Sequence, residues 1–79
     1  MKTILITGVA GFVGSYAVSE FTKTGARVVG FDRHESSSCH THLGDIRDRT
    51  VVNQVVEEVR PDVILHLAGF SSVAESWKP

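Results

Sequence analysis

Eight residues near the amino terminus, Thr7-Gly8-Val9-Ala10-Gly11-Phe12-Val13-Gly14, constrain this chain more than any other stretch. Ahead of them, Lys2 to Thr7 form a short, β-branched, continuously apolar run that stops at glycine, the pattern of a strand covered on both faces. Behind them, Phe12, Val13, Tyr16, Ala17, Val18 and Phe21 recur at helical spacing, Lys23-Thr24 form a polar end, and Gly25 stands where a left-handed C-cap is wanted. Glycines at every third position between a strand and a helix answer a steric demand. The main chain must come close to an anion, and the helix must pack hard against the strand. The spacing therefore predicts that Gly8, Gly11 and Gly14 shape a turn for a diphosphate, with the amides of Phe12 and Val13 as donors at the positive end of the helix.

A second apolar run of strand length, Arg27-Val28-Val29-Gly30-Phe31-Asp32, ends in an acid eighteen residues after Gly14. A carboxylate there can accept hydrogen bonds from both hydroxyls of an adenosine ribose and repels a 2′-phosphate, which favours NAD over NADP. Arg33 offers the opposite chemistry, because a guanidinium can hold a 2′-phosphate if the Asp32 side chain turns aside. The plain alternative for Asp32 is a solvated acid at a strand end.

Arg33 to Thr41 holds three successive serines, two histidines and Glu35 with no periodicity, and is too short for a packed crossover helix, so it reads as a loop. His42-Leu43 is the expected stub of a third strand. Asp48 or Thr50 can cap a second helix whose apolar face is Val51, Val52, Val55, Val56 and Val59, with Pro61 ending it. Val63 to Leu67 is a fourth strand, apolar on both faces. Strand and helix alternate without a tandem repeat, which predicts a parallel α/β sheet in the order 3-2-1-4, the first half of a doubly wound dinucleotide fold.

The length of 79 residues is about half that of a typical domain, so residues 1–79 are expected to form one partial dinucleotide-binding domain. A net charge of −1 argues against nucleic acid or an anionic membrane as partner. The run Ile4-Leu5-Ile6 is too short for a signal-peptide core, and one cysteine, Cys39, permits no disulfide framework, so the expected compartment is the cytoplasm. Cys39 with His34, His40 and His42 lacks the paired spacing of a structural zinc site, so no metal is expected. His66, in an apolar strand, reads as an interior histidine that steadies the loop after it.

With these residues assembled, the chain resembles the extended short-chain dehydrogenase/reductase family of NAD-dependent epimerases and dehydratases, whose glycine motif has this GxxGxxG spacing. Gly44-Asp45-Ile46-Arg47-Asp48 is similar to the family's GDIRD segment, and the resemblance implies that Asp45 and Ile46 contact adenine. Val63 to Gly69 resembles the family's fourth strand, which places Leu67, Ala68 and Gly69 beside the nicotinamide ribose and pyrophosphate. Ser71 is then a further donor near the phosphates, or an ordinary loop serine. The last stretch is most similar to the UDP-glucose 4-epimerase branch, with Ser71 where that branch commonly carries a lysine. The resemblance implies a Rossmann-type sheet, an NAD cofactor, a nucleotide-sugar substrate and reversible hydride transfer at sugar C4.

Family chemistry requires a Tyr-x-x-x-Lys pair, and these residues do not contain one. The single tyrosine, Tyr16, is followed four residues on by Glu20 and is expected to pack with its ring partly buried. No catalytic residue is therefore assigned. The chain reads as the amino-terminal, NAD-binding piece of an epimerase-like enzyme, without the later strands, the catalytic helix and the substrate lobe, and is expected to be inactive alone. The alternative is a stand-alone, non-catalytic nucleotide-binding or interaction module. An unpaired outer edge on the fourth strand predicts self-association.

Overall fold

The computed structural model describes residues 1–67. Its elements run β1 (Thr3–Thr7), α1 (Phe12–Lys23), β2 (Arg27–Asp32), β3 (His40–Leu43), α2 (Arg49–Val59) and β4 (Val63–His66). The four strands form one sheet in the order β3-β2-β1-β4, and every pairing is parallel. This is the expected half of a doubly wound fold. Among the described residues, no helix is long and apolar enough to cross a membrane.

Alternation along β1 builds two cores from one strand. Ile4 and Ile6 face α1 and pack with Val9 and Val18, whereas Leu5 faces α2 and packs with Val29, Phe31, Val55 and Val59. Central placement is why β1 is apolar at successive positions: Leu5 and Ile6 are both fully covered. The fourth strand departs from the expectation of cover on both faces. Val63 and Ile64 are 43% and 46% exposed, because β4 pairs only with β1 among the described residues and stands at the sheet's edge.

Helix α1 also departs from its sequence reading. Tyr16 is 64% exposed and Phe12 89% exposed, so neither packs in the core. At about 100° per residue, Gly14, Val18 and Phe21 share one face, while Phe12 and Tyr16 fall on the opposite one. Close packing of Gly14 against the main chain of Val9 commits the helix to that narrow face. Strand β3 starts at His40, two residues before the expected stub, because pairing of His40 with Val29 and Thr41 with Gly30 defines it rather than its own apolar content.

The link from Arg33 to Cys39 carries no helix, unlike the other two crossovers. Its backbone is tied instead by short polar side chains, which is what its serines are for. Ser36 N–H donates to Thr41 Oγ1 at 3.3 Å, Ser38 N–H donates to Ser36 Oγ at 3.1 Å, and Ser38 Oγ donates to Ser15 Oγ on α1 at 3.3 Å. Cys39 is half-buried against the α1 core, and that burial pushes its thiol pKa up.

Candidate nucleotide-binding site

A cleft of about 480 Å³ opens over the carboxyl ends of β1, β2 and β3. Its floor is the glycine turn. Gly8, at φ 73°, takes a left-handed conformation and donates its N–H to Phe31 O at 2.8 Å. Val9 then drives its side chain into the α1 core, where it is fully buried. Two glycines make room for it. A Cβ on Gly14 would lie 2.2 Å from Val9 O, and one on Gly30 would lie 2.4 Å from Val9 Cγ1.

Gly11 is different. Its φ of −79° suits any residue, and the nearest outside atom to an added Cβ is Gly8 O at 3.9 Å. Nothing among the described residues requires glycine there; Gly11 lines the cleft. Helix α1 begins at this point with no side-chain cap and no acid in its first turn. The first helical bond runs from Ser15 N–H to Gly11 O, and the N–H groups of Phe12 and Val13 have no acceptor among the described residues. A bare glycine before open amides at a helix start has the geometry that helix termini use to receive anions.

Asp32 forms the side wall, and it is neither free nor simply solvated. Ala10 N–H donates to its Oδ2 at 3.1 Å, and His34 N–H donates to its Oδ1 at 3.0 Å. The carboxylate is thus pinned between the glycine turn and the start of the link, with acceptor positions to spare on both oxygens. Arg33 borders the same cleft, exposed and without an ion pair among the described residues.

The far wall is the segment Gly44 to Asp48, in which each residue type has a local cause. A Cβ on Gly44 would meet Val51 Cγ1 at 2.8 Å and Phe31 Cζ at 2.9 Å, so a larger residue would have to displace both side chains. Asp45 accepts from Arg47 N–H at 2.9 Å, from Arg47 Nε at 3.1 Å and from Arg47 Nη2 at 2.8 Å. The Arg47 side chain, helped by its main-chain N–H, holds the Asp45 carboxyl far below the usual carboxylate range. Asp48 caps α2, accepting from Thr50 N–H at 3.1 Å and Val51 N–H at 3.4 Å.

The structure brings Gly8, Gly11, Phe12, Val13 and Gly14 to one cleft with Asp32 and Arg33, and adds Asp45, Ile46 and Leu67. Ala68, Gly69 and Ser71 lie outside the described residues. His66 is hydrogen-bonded through Nδ1 to the Thr7 hydroxyl at 2.7 Å, which ties the end of β4 to the end of β1; the loop it is expected to steady lies outside the described residues. Among the described residues, no three histidine, cysteine, aspartate or glutamate side chains gather as metal ligands. Two site residues escaped the sequence reading. Ala10 acts only through its N–H, which no side-chain pattern reveals; Arg47 was legible as a cation two residues after an acid that heads a turn.

The sequence pattern of the NAD dependent epimerase/dehydratase family matches residues 4–79. UDP-glucose 4-epimerase of Neisseria meningitidis serogroup A is 37% identical over 90 aligned positions, covering 96% of this chain and 26% of that protein. The corresponding enzyme of Rhizobium leguminosarum bv. trifolii is 35% identical, covering 98% of this chain and 25% of its own. Among solved structures, UDP-glucose-4-epimerase from Stenotrophomonas maltophila with bound NAD and formylated UDP-arabinopyranose superposes with a TM-score of 0.78 at 31% identity, over 96% of this chain and 27% of that one. The Thermus thermophilus UDP-glucose 4-epimerase complex with NAD gives 0.73 at 28% identity, over 81% and 23%. The chain spans about a quarter of the length of the curated relatives it matches.

Proposed function

Because the chain belongs to the NAD dependent epimerase/dehydratase family, we propose that it forms the NAD-binding segment of a nucleotide-sugar epimerase, of the kind that inverts C4 of a UDP-hexose. The observation that carries this reading is Gly11, a glycine that no neighbour among the described residues requires, set before amides that none of those residues satisfies. The named activities of the relatives and the NAD in their complexes point the same way.

In this reading Phe12 and Val13 N–H bind the diphosphate, with Gly8, Gly11 and Gly14 keeping the approach open. Asp32 takes the adenosine ribose hydroxyls. Its two main-chain donors keep the carboxylate from swinging aside for a 2′-phosphate, so Arg33 does not convert the site to NADP. Asp45 and Ile46 meet the adenine, and Leu67, with Ala68, Gly69 and Ser71 beyond it, approaches the nicotinamide end. Bound NAD would accept a hydride from the sugar and return it. The groups that move the proton are not among these residues, since Tyr16 is exposed on α1 and has Glu20, not lysine, four residues on. Residues 1–79 are then part of a cytoplasmic dinucleotide-binding domain, inactive alone, whose catalytic helix and sugar-binding lobe are separate from them.

Calorimetric titration tests this directly. The chain should bind NAD about tenfold more tightly than NADP, and Gly11→Val should remove most of that binding by placing methyl groups where the diphosphate sits. No heat with either dinucleotide, or unchanged binding in Gly11→Val, would overturn the assignment. The outer edge of β4, with Val63 and Ile64 exposed, is proposed to pair with a second copy. Light scattering that gives a monomer mass across a wide concentration range would refute that pairing.

A further inference from the structure

We propose that His40 and His42 form a two-histidine chelate for a divalent late transition metal ion of the zinc or nickel class, on the outer edge of the sheet. Strand β3 is an edge strand, bonded only to β2 among the described residues. Side chains alternate along a strand, so His40 and His42 share one face, about 6.6 Å apart along the chain. The register says which face. His40 lies opposite Val29 and His42 opposite Phe31, both of which pack with the valines of α2. Cys39 belongs to the other half of the alternation and packs in the α1 core, on the opposite side of the sheet.

The two rings lie edge to face, with centroids 5.0 Å apart and planes at 82°. Two imidazoles on one tetrahedral zinc, at the usual Zn–N distance of about 2.0–2.1 Å, have ring centres about 5 Å apart. The strand therefore already sets the separation that chelation needs. What remains is aim, and His40 is exposed, so its ring can turn into place without moving the backbone. Neither ring is engaged elsewhere by a hydrogen bond or ion pair among the described residues. A neutral imidazole in that state has a lone pair to give. Such nitrogens suit zinc and nickel, whereas magnesium and calcium take oxygen ligands. Among the described residues no third histidine, cysteine, aspartate or glutamate joins the pair, so water completes the coordination shell. This two-ligand arrangement differs from the closed four-ligand site that the spacing around Cys39 argues against. Its effect on the fold follows from the bridge. Joining positions two apart holds β3 extended, and an ion that binds the folded strand better than the unfolded chain stabilises it by mass action.

Calorimetric titration of the untagged chain with zinc chloride, in a buffer that does not bind metals, tests the site. One zinc should bind per chain, and magnesium should give no heat. His40→Gln and His42→Gln should each weaken zinc at least about tenfold, since loss even of a ligand's supporting partner costs that much. His34→Gln, whose ring lies in the link outside β3, should leave the affinity unchanged. Zinc should also raise the melting temperature of the unaltered chain and leave that of His40→Gln where it was. If His42→Gln melts early without metal, His40→Gln alone decides. Full zinc affinity in His40→Gln overturns the chelate, and so does an equal loss in His34→Gln or the absence of zinc heat from the unaltered chain. No dinucleotide enters the experiment, so each of these results leaves the cofactor reading standing.

Discussion

The two helices of this chain begin in opposite ways. Helix α2 is closed by its own sequence, with Asp48 accepting from the amides of Thr50 and Val51. Helix α1 begins at Gly11 with no side chain turned back on its first turn and no acid within that turn. Both starts have the same electrostatic need, because the first amides of any helix lack partners and concentrate positive charge. One is met within the chain, so it only stabilises. The other is met by no side chain among the described residues, and it is where the proposed diphosphate would bind. The glycines divide in the same manner: Gly14 and Gly44 are crowded by atoms of the protein, and Gly11 by none among the described residues.

Substitutions at these two starts test the contrast. The largest effect is expected at Gly14, where an alanine Cβ would press 2.2 Å from a backbone oxygen that cannot yield. Gly14→Ala should cost about 3 kcal/mol or more despite better helix propensity. Small domains hold only about 0.05–0.15 kcal/mol per residue, so circular dichroism should find that variant melting well below the unaltered chain. A native-like melt would show that Val9 can withdraw and that the seam is softer than described.

Next in size is the contrast between Gly11 and Asp48. Gly11→Val should cost at most about 1 kcal/mol of stability, for a poorer N-cap, while losing the dinucleotide. Asp48→Ala should lose about 1 kcal/mol with the cap and leave dinucleotide affinity unchanged. Denaturant midpoints and calorimetry on the same two proteins would separate the two roles. If Asp48→Ala weakened the nucleotide as much as Gly11→Val does, the division between closed and open starts would fail.

The smallest effect concerns pH. Burial lowers the pKa of His66 from its ordinary 6.5. The unfolded chain therefore takes up the proton first, and stability falls as pH drops below about 6.5. The loss should stay under about 1 kcal/mol, because solvent screens a ring this exposed. Comparing denaturant midpoints at pH 7.5 and 5.5 in the native chain and in His66→Gln assigns it; a shift of equal size in both belongs to another group.

Much of this was readable beforehand, for identifiable reasons. Strand β2 and the start of α1 fall where glycine, apolar runs and helical spacing place them, because those signals are local. Sheet order followed from connectivity. Burial was less legible. Tyr16 and Phe12 look like members of an apolar helical face, yet the face that counts is set by Gly14 meeting Val9, a contact that spacing does not encode. Strand β3 owes its length to its neighbour, and the apolar content of β4 says nothing about what covers it. In the cleft, the glycines and Asp32 were evident from their spacing. The grip of Ala10 N–H on Asp32, and of Arg47 on Asp45, became visible only once turns brought distant groups within reach.

The helix-free passage between β2 and β3 has one more consequence. Growth of a surface link costs only about 0.6 kcal/mol per doubling of its length. Between Arg33 and Ser38, where no residue is fully buried and no helix packs on the sheet, residues can therefore be added or removed like planks of a balcony, while the rooms behind it, sheet and glycine turn, keep their plan.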